Sequence, residues 1–347
     1  MRKKKSILIT CIGGELSFQF IELLKNSARF DYFVVGVDMS DDVQAQHVCD
    51  VFQTVPNGSD ADYSDCILRL AKQHSVELIF PWSDVEAISL SRDREKFKQN
   101  NVIIACNDHD TLLKVSNKAA TYEKLEELGI RTPNWTHTST LTEISKRVEN
   151  YMKKSESVVV KLPNARGSRG IFVLDEQIED QLFYNNTREI HANPVFFLNN
   201  ILPTLNPLDE YIVMDRLIEP VCDLDILAWR GQIVHALSRR RLESASPNNG
   251  HLIERSDLIV NVAEKIVKNM NLSWIFDIDY MFATDGSPII LEVNPRASGS
   301  LAVAIASGVN LFDDMFTLLD GGNVVSKSCP ENTIVYPVKS LRTRSHP

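Results

Sequence analysis

The chain has 347 residues, of which 44% are hydrophobic and 24% charged, and its formal net charge is −9. This apolar content is that of a folded globular protein, and the length predicts two or three domains. The negative charge argues against a broad nucleic-acid-binding surface, so small molecules are the expected partners.

The apolar residues and cysteines are distributed as in a cytoplasmic protein. Residues 1–12 superficially resemble a signal peptide, but the apolar stretch is short and Gly13 and Gly14 follow it, so we interpret it as a first strand. No apolar run in the sequence approaches the ~18 residues of a membrane span. The six cysteines are scattered without a C-x-x-C pair, which suits a reducing compartment.

Residues 6–112 alternate between strand and helix patterns. This alternation predicts an open, mostly parallel sheet with crossover helices. The predicted strands are 6–10, 33–38, 77–80 and 102–105, and the predicted helices are 17–25 and 67–74.

Gly13 and Gly14 follow the first predicted strand, and Asp38 ends the second, an arrangement related to dinucleotide-binding turns. The full G-x-G-x-x-G fingerprint is missing, and Glu15 would place a negative charge where a pyrophosphate binds. The alternative is a plain tight turn. Nicotinamide binding is the weaker of the two hypotheses.

The pattern changes at Ser116. Ser116 is expected to cap a helix that Gly129 ends before Pro133, and a second helix is predicted over 141–153. Later strands are predicted over 210–214, 223–229 and 232–238, with a helix over 257–270.

Between these elements lies a strand–loop–strand segment. Strand 157–161 ends in Lys161, and loop 164–170 contains two glycines and two arginines before strand 171–174. We interpret the loop as a flap whose backbone N–H groups fold over phosphates, with Lys161 beneath it. The alternatives are a lysine that extends from a strand end, and ordinary loop charge at Arg166 and Arg169.

Asp285 and Gly286 separate two alternating apolar runs, 275–282 and 288–294, and predict a β-hairpin. With a loop of two or four residues, Asp279 faces Glu292, Asp277 faces Asn294, and all four side chains share one side of the sheet. Facing carboxylates destabilise a sheet unless a divalent cation binds between them. The alternative is a solvated acidic face, and a three-residue loop would shift the register. The expected core side is Ile278, Tyr280, Phe282, Ile289, Leu291 and Val293.

Asn294 leads into a segment of small residues that ends at Gly308. Ser298 and Ser300 lie near the predicted start of a helix, where an anion is favoured, and Arg296 could bind phosphate oxygens through two nitrogens. The alternative is a close-packed helix with Arg296 as a surface cation.

Taken together, these motifs resemble the ATP-grasp superfamily, in the branch that contains the large subunit of carbamoyl-phosphate synthetase, biotin carboxylase and carboxylate–amine ligases. The resemblance rests on three motifs that occur in the family's order: Asn117-Lys118 before a helix, Val-Val-Val-Lys161 before Gly-Ser-Arg-Gly170, and Glu292-Val-Asn294-Pro-Arg296. It covers about residues 1–325.

The resemblance implies an α/β fold, with an N-terminal open parallel-sheet domain (Rossmann-like, pre-ATP-grasp) followed by a two-lobed α+β ATP-grasp domain. The implied divisions are 1–112 for the first domain, 113–212 for the small lobe with the phosphate flap, 213–325 for the large lobe with the metal site, and 326–347 for a C-terminal tail.

The resemblance also implies ATP and two Mg²⁺ ions as cofactors, with Mn²⁺ as a substitute ion. Arg296, Arg241 and Lys161 would be the catalytic residues, and Asp279, Glu292 and Asn294 the metal ligands. The implied nucleotide contacts are Lys118, Lys161, Gly167, Ser168, Arg169, Gly170, Met214, Asp215, Leu217 and Asp223, the last at the ribose.

The implied activity is that of an ATP-dependent carboxylate–amine ligase, which forms an amide through an acyl phosphate and releases ADP and phosphate. Free small molecules such as amino acids are the expected substrates, and by analogy they would bind near 81–84 and Arg239–Arg241. Homodimers are common in such enzymes. Neither nucleic acid nor a membrane is expected as a partner.

Three alternatives remain: an ATP-grasp enzyme that converts bicarbonate or another carboxylate into a mixed anhydride, a nicotinamide-dependent oxidoreductase, and a silent nucleotide-binding module. We expect structural or surface roles, rather than catalysis, for four histidines: His137, His191, His235 and His251.

Overall fold

The computed structural model describes most of the chain. The described residues are 2–154, 157–164, 170–179, 183–184, 189–206, 209–217, 219–244, 246, 248–283, 285–325 and 331–338. No helix in these ranges has both the length and the apolar character needed to cross a bilayer.

The N-terminal part is a five-stranded sheet in the order β3-β2-β1-β4-β5, and every neighbouring pair is parallel. Both faces are covered, so the apolar run Ile7–Ile9 is fully buried. The predicted open parallel sheet is thus confirmed. Its strands are β1 (Lys3–Ile9), β2 (Phe30–Asp38), β3 (Val51–Thr54), β4 (Leu78–Phe80) and β5 (Ile103–Ile104). The helices are α1 (Ser17–Lys25), α2 (Tyr63–Gln73), α3 (Asp84–Arg92), α4 (Arg94–Gln99) and α5 (His109–Val115), with a 3-10 turn at Gln44–His47.

A second, mixed sheet follows in the order β6-β11-β7-β8-β10-β9. Strands β7 and β8 are antiparallel, and Lys161 at the end of β7 pairs with Ile171 at the start of β8. The loop predicted to be a phosphate flap therefore joins two adjacent strands. The elements are α6 (Lys118–Glu127), β6 (Trp135–Thr138), α7 (Leu141–Met152), β7 (Ser157–Lys161), β8 (Ile171–Asp175), β9 (Phe183–Tyr184), β10 (Glu189–Ala192), α8 (Pro194–Phe196) and β11 (Tyr211–Asp215). A π turn, Phe197–Ile201, and a 3-10 turn, Leu202–Thr204, follow α8.

The third sheet is antiparallel, in the order β16-β15-β12-β13-β14-β17. Its elements are β12 (Cys222–Trp229), β13 (Gln232–Arg241), β14 (His251–Ile253), α9 (Asp257–Asn269), β15 (Trp274–Phe282), β16 (Pro288–Asn294), α10 (Ala302–Ala306), α11 (Leu311–Leu319) and β17 (Thr333–Val335). Strand β17 lies in the predicted C-terminal tail and adds to the edge of this sheet beside β14. The predicted domain boundaries themselves stay predictions.

The β15–β16 hairpin has the predicted pairing where the acidic residues lie: Asp279 faces Glu292 and Asp277 faces Asn294. Nearer the turn, the register differs, because Phe282 pairs with Pro288 around a five-residue loop and a bulge after Asp279 restores the pairing.

The bulge also corrects the predicted core side of the hairpin. As predicted, the core includes Ile278, Tyr280 and Val293. It also includes Ile290, whose neighbours Ile289 and Leu291 were the residues predicted to face the core. Leu291 is only partly buried against that core, and Phe282 is 38% exposed. One inserted residue reverses the alternation of β16, which explains Ile290 and Leu291, whereas Phe282 is the last residue of β15.

The start of α6 is a second correction. Asn117, not Ser116, caps the helix, and its side chain accepts hydrogen bonds from the backbone N–H groups of Ala119 and Ala120. Gly129 ends the helix with φ +65°, as predicted.

A continuous hydrophobic core joins the N-terminal sheet to the C-terminal part of the chain. It includes Phe20, Phe80 and Trp82 from the first sheet region and Phe312 and Phe316 from α11. The Phe80 and Phe312 rings lie 5.0 Å apart in an edge-to-face arrangement. The first sheet is therefore packed tightly against the elements that carry the acidic hairpin.

Candidate active site

One face of the third sheet carries a grid of charged side chains. Strand pairing places Asp223 opposite Asp279 on one side and Arg239 on the other. Asp225 is likewise opposite Asp277. The intervening residues, such as Leu224 and Ile278, point into the core. Period-two alternation on four adjacent strands thus gathers the carboxylates on a single surface.

Three of these carboxylates could hold a metal ion. Oxygen atoms of Asp223, Asp277 and Asp279 all lie within 4.8 Å of one another. Burial, followed by Asp223 and Glu292, raises the pKa of Asp279 to about 6. Asp279 Oδ1 is buried and accepts no hydrogen bond from any described residue. A buried carboxylate oxygen without a donor, among other carboxylates, fits a hard divalent cation.

The predicted metal ligands Glu292 and Asn294 have other partners. Lys118 Nζ lies 2.9 Å from Glu292 Oε1. Burial opposes ionisation of Glu292, but Lys118 outweighs it, and the pKa of this carboxyl falls below its usual value. Asn294 donates to Asp277 Oδ2 at 3.1 Å. The structure therefore groups Asp279 with Asp223 and Asp277, while Glu292 lies across the strand pair.

Three arginines offset part of the negative charge of the grid. Arg241 contacts both Asp223 and Asp279, the latter at 2.9 Å, and Arg296 donates to Asp277 Oδ1 at 2.9 Å. Arg239 is fully buried and donates to Asp223 and Asp225. Burial alone would raise the pKa of Asp223, but Arg239 and Arg241 hold it well below its usual value.

Asp223 is the residue predicted to contact the ribose. The side chain is 3% exposed and its two oxygens accept hydrogen bonds from Arg239 and Arg241. Both oxygens thus face arginines of the grid, and the ribose contact stays a prediction.

Lys161 faces the grid from the second sheet. It is 5% exposed, and its ammonium donates to the Tyr122 hydroxyl at 3.2 Å. That hydroxyl in turn donates to the carbonyl of Leu291, the bulge residue, at 2.6 Å. Burial lowers the pKa of Lys161, although Glu292 and Asp279 oppose the shift. A buried lysine so placed is a fixed cation between the two sheets.

The end of β11 provides a polar group at the position expected for adenine recognition. Asp215 is half-buried, burial raises its pKa, and its Oδ1 atom is buried without a hydrogen-bond partner among the described residues. Met214 before it is 3% exposed and packs in the core, and Leu217 follows in an irregular segment. The free oxygen suits an amino-group donor.

The predicted flap is only partly visible. Gly170 lies at its end with φ +70°, a left-handed conformation that favours glycine. Gly167, Ser168 and Arg169 lie outside the described residues, as does Arg166.

Of three further charged residues in this region, Asp225, Arg239 and Asp84, the sequence interpretation named only the last two, as lying near the substrates by analogy. Asp84 Oδ1 lies 3.6 Å from Arg296 Nε. The signal for the first two was present, since Asp223 and Asp225, like Arg239 and Arg241, are two apart on a strand and share a face. No local pattern indicated the contact of Asp84 with Arg296, because Asp84 begins α3 in the N-terminal part of the chain.

The four histidines singled out in the sequence contact acids or an arginine in the described part of the chain. His235 is 3% exposed and 2.8 Å from Asp314 Oδ2, and His251 is fully buried beside Arg239 at 2.9 Å. His137 and His191 pair with Glu210 and Glu189 on partly exposed strands. The contacts of all four histidines are those of structural residues.

The backbone of the glycine turn after β1 binds a carboxylate of the same chain. Asp38 Oδ2 accepts a hydrogen bond from the Gly13 backbone N–H at 2.7 Å. A pyrophosphate would need that donor, so the turn argues against the dinucleotide interpretation.

Two family profiles match different parts of the chain. Residues 7–105 match "PylC-like, N-terminal domain", and residues 208–343 match "ATP-grasp in the biosynthetic pathway with Ter operon". A comparison with curated proteins gives no match.

Solved structures share the fold over nearly the whole chain. N5-carboxyaminoimidazole synthetase from Staphylococcus aureus, complexed with ADP, is 16% identical with a TM-score of 0.68, over 95% of this chain and 81% of that one. The biotin carboxylase domain of Hydrogenobacter thermophilus 2-oxoglutarate carboxylase, with MgADP and bicarbonate, is 14% identical with a TM-score of 0.67, over 92% and 70%. L-amino acid ligase from Bacillus licheniformis is 15% identical with a TM-score of 0.62, over 90% and 73%.

Proposed function

We propose that the chain is an ATP-dependent ligase of the ATP-grasp type that joins a carboxylate to an amine through an acyl phosphate, and the profile match over residues 208–343 supports this. The observation that carries this proposal is the grid of Asp223, Asp277 and Asp279, with Lys161 facing it from the second sheet. Carboxylates for a dication beside buried cations for phosphates are what a phosphoryl transfer requires.

The acidic side of the site would hold the metal. Asp279, with its free Oδ1 atom, is the proposed first ligand, and Asp223 and Asp277 lie beside it. Glu292 and Asn294 remain proposed ligands from the facing strand. These residues would hold Mg²⁺, which would supply Lewis-acid stabilisation of the charge on the transferred phosphoryl group.

The basic side would bind and align the nucleotide. Lys161 and Lys118 approach the grid from β7 and from the first turn of α6, and we assign them to the ATP phosphates, with Lys161 also near the adenine. Gly167–Gly170 are proposed as the flap, and Met214, Asp215 and Leu217 as the adenine slot. Asp215 Oδ1 would accept from the adenine amino group.

Arg296 and Arg241 are proposed for the second substrate and the transferring group. A carboxylate and a triphosphate repel each other, so the reaction needs fixed positive charge between them. Arg296 lies at the end of β16, and its side chain is 20% exposed, so a small acid can reach it. Arg241 lies next to Asp279, where the phosphoryl group would pass.

The proposed reaction has two steps. A carboxylate oxygen attacks the γ-phosphorus, and the bond to the β-γ bridging oxygen breaks, which releases ADP. An unprotonated amine then attacks the acyl carbon, its C–O bond to phosphate breaks, and the amine loses a proton to the departing phosphate or to water. The products are an amide, ADP and phosphate, with amino acids as the proposed substrates.

A second candidate is bicarbonate as the carboxylate. It is favoured by the similarity to the biotin carboxylase domain, whose structure contains bicarbonate, and to N5-carboxyaminoimidazole synthetase. The intermediate would then be carboxyphosphate, a mixed anhydride.

The test is ADP and phosphate release from ATP and Mg²⁺ in the presence of pairs of L-amino acids, with bicarbonate alone as a separate arm. The proposal expects release that needs both a free carboxylate and a free amine, with an amide product in the mass spectrum. Release with bicarbonate and no amine would favour the second candidate. ATP binding without turnover in any mixture would contradict both.

Two variants test the proposed residues in this assay. Glu292→Gln and Lys161→Ala should each lower turnover by about 10²–10³-fold, because each removes a charge aimed at the phosphates or metal. Glu254→Gln and Lys124→Ala are matched controls, since both residues lie in solvent-exposed ion pairs. Near-normal ADP release by Glu292→Gln and Lys161→Ala would overturn the residue assignment.

A further inference from the structure

The loop after β4 brings the N-terminal sheet into contact with the site. Trp82 is 6% exposed, and its indole N–H donates to the carbonyl oxygen of Ser298 at 2.9 Å. The Trp82 backbone N–H donates to Thr10 Oγ1, and Ser83 caps α3 by accepting from the Glu86 N–H. The loop is therefore held at both ends, and its position relative to Ser298 is fixed.

Asp84, the first residue of α3, ends this loop close to Arg296. Asp84 is 5% exposed, and its Oδ1 atom lies 3.6 Å from Arg296 Nε. On its other side, Arg296 donates to Asp277 Oδ1 at 2.9 Å, and Nη2 lies 3.3 Å from Asn294 Oδ1. One guanidinium is thus divided between an acid of the first sheet and an acid of the grid.

The division has an electrostatic consequence. A guanidinium bound only to Asp277 would cancel that carboxylate's charge and turn its remaining donors inward. A second acid across the cleft keeps the plane of the guanidinium between the two parts of the chain.

We propose that Asp84 is a positioning residue that holds Arg296 away from full pairing with Asp277. Its effect is twofold: the grid keeps the negative charge that attracts a dication, and the guanidinium stays turned toward the cleft for a substrate carboxylate. The second effect rests on the proposed function, whereas the first concerns only cation and nucleotide binding. The first sheet thereby contributes a residue to the site.

The direct test measures ADP affinity by calorimetry with and without Mn²⁺. In Asp84→Asn, Arg296 pairs fully with Asp277, so Mn²⁺-dependent ADP affinity should fall about tenfold or more. Asp84→Glu should recover part of it. Asp93→Asn, at the opposite end of the same helix, is the control for helix charge and should match the parent protein.

A double-mutant cycle shows whether Asp84 acts through Arg296. In an Arg296→Lys background, a single ammonium replaces the fork that two carboxylates share, so Asp84→Asn should change the affinity by about twofold or less. An equal loss in both backgrounds would mean that Asp84 acts by its charge alone. That outcome would overturn the proposal, as would an unchanged affinity in Asp84→Asn.

The proposed effect of Asp84 on the substrate carboxylate is tested with the carboxylate and amine that give the fastest ADP release in the assay above. Asp84→Asn should raise the KM of the carboxylate about tenfold while the KM of the amine stays constant. Equal changes in both KM values would contradict it. If the parent protein turns over no mixture, the proposed function fails, and the Mn²⁺ experiment still decides whether Asp84 positions Arg296.

Discussion

Three consecutive arginines on β13 have three different environments. Arg239 is fully buried among Asp223, Asp225 and Ser298, whereas Arg240 points to the other face and pairs with Glu254 at 3.1 Å with its side chain 37% exposed. Arg241 returns to the first face beside Asp279. The alternation of a strand, rather than residue type, decides which arginine is structural and which faces the site.

Arg239→Met should destabilise the protein by about 3–5 kcal/mol, because it removes the buried cation that the carboxylates of Asp223 and Asp225 share. Arg240→Met removes an exposed pair and should cost below about 1 kcal/mol. Urea unfolding followed by far-UV circular dichroism measures both. Equal costs would show that the buried pairs contribute no more than a surface pair.

At the scale of the element, the sequence allowed most strands and helices to be predicted, and the errors have local physical causes. Helix α1 has its predicted bounds, and the acidic positions of the β15–β16 hairpin are paired as expected. The bulge after Asp279 was not predicted. The loop length and the bulge shift the strand register in opposite directions, so the apolar pattern shows neither of them.

The start of α6 was misplaced by one residue, since Ser116 and Asn117 are both good capping residues and only the backbone geometry selects between them. Asn117 has the extended conformation of a cap, and Ser116 Oγ is buried without a hydrogen-bond partner among the described residues. The choice matters because Lys118 is the next residue.

This difference gives a prediction for α6. Asn117→Ala should lower the free energy of unfolding by about 1 kcal/mol, since two N–H groups lose their acceptor. Ser116→Ala should lie within about 0.5 kcal/mol of the parent protein. Denaturant unfolding of both variants checks this, and the reverse order would contradict the assigned cap.

At the scale of the whole molecule, the site exists only because three sheets meet. Asp279 and its neighbours come from the third sheet, Lys161 from the second and Asp84 from a loop of the first. Motif order indicated the family and the first two groups. For the third group it gave only a position near the substrates, by analogy, because the contact between residues 84 and 296, 212 positions apart, depends on tertiary packing.

Long-range contacts also join the N-terminal strands to α11. Asp313 accepts from Ser27 and Tyr32, Asp314 pairs with Arg29, and Asp320 lies 2.8 Å from Lys5 Nζ. Together with the shared aromatic core, these pairs fix the first sheet against the ATP-grasp part. A fixed arrangement is what lets a residue of the first sheet position Arg296.

The central claim is that the acidic grid binds a dication together with ATP, and calorimetric titration with ATP, with and without Mg²⁺, tests it most directly. The parent protein should bind ATP tightly only with Mg²⁺, and Asp279→Asn should weaken this binding by at least about tenfold. Asp285→Asn, in the exposed turn of the same hairpin, should bind like the parent protein. Equal ATP affinity with and without Mg²⁺, or equal affinities in the two variants, would contradict the account.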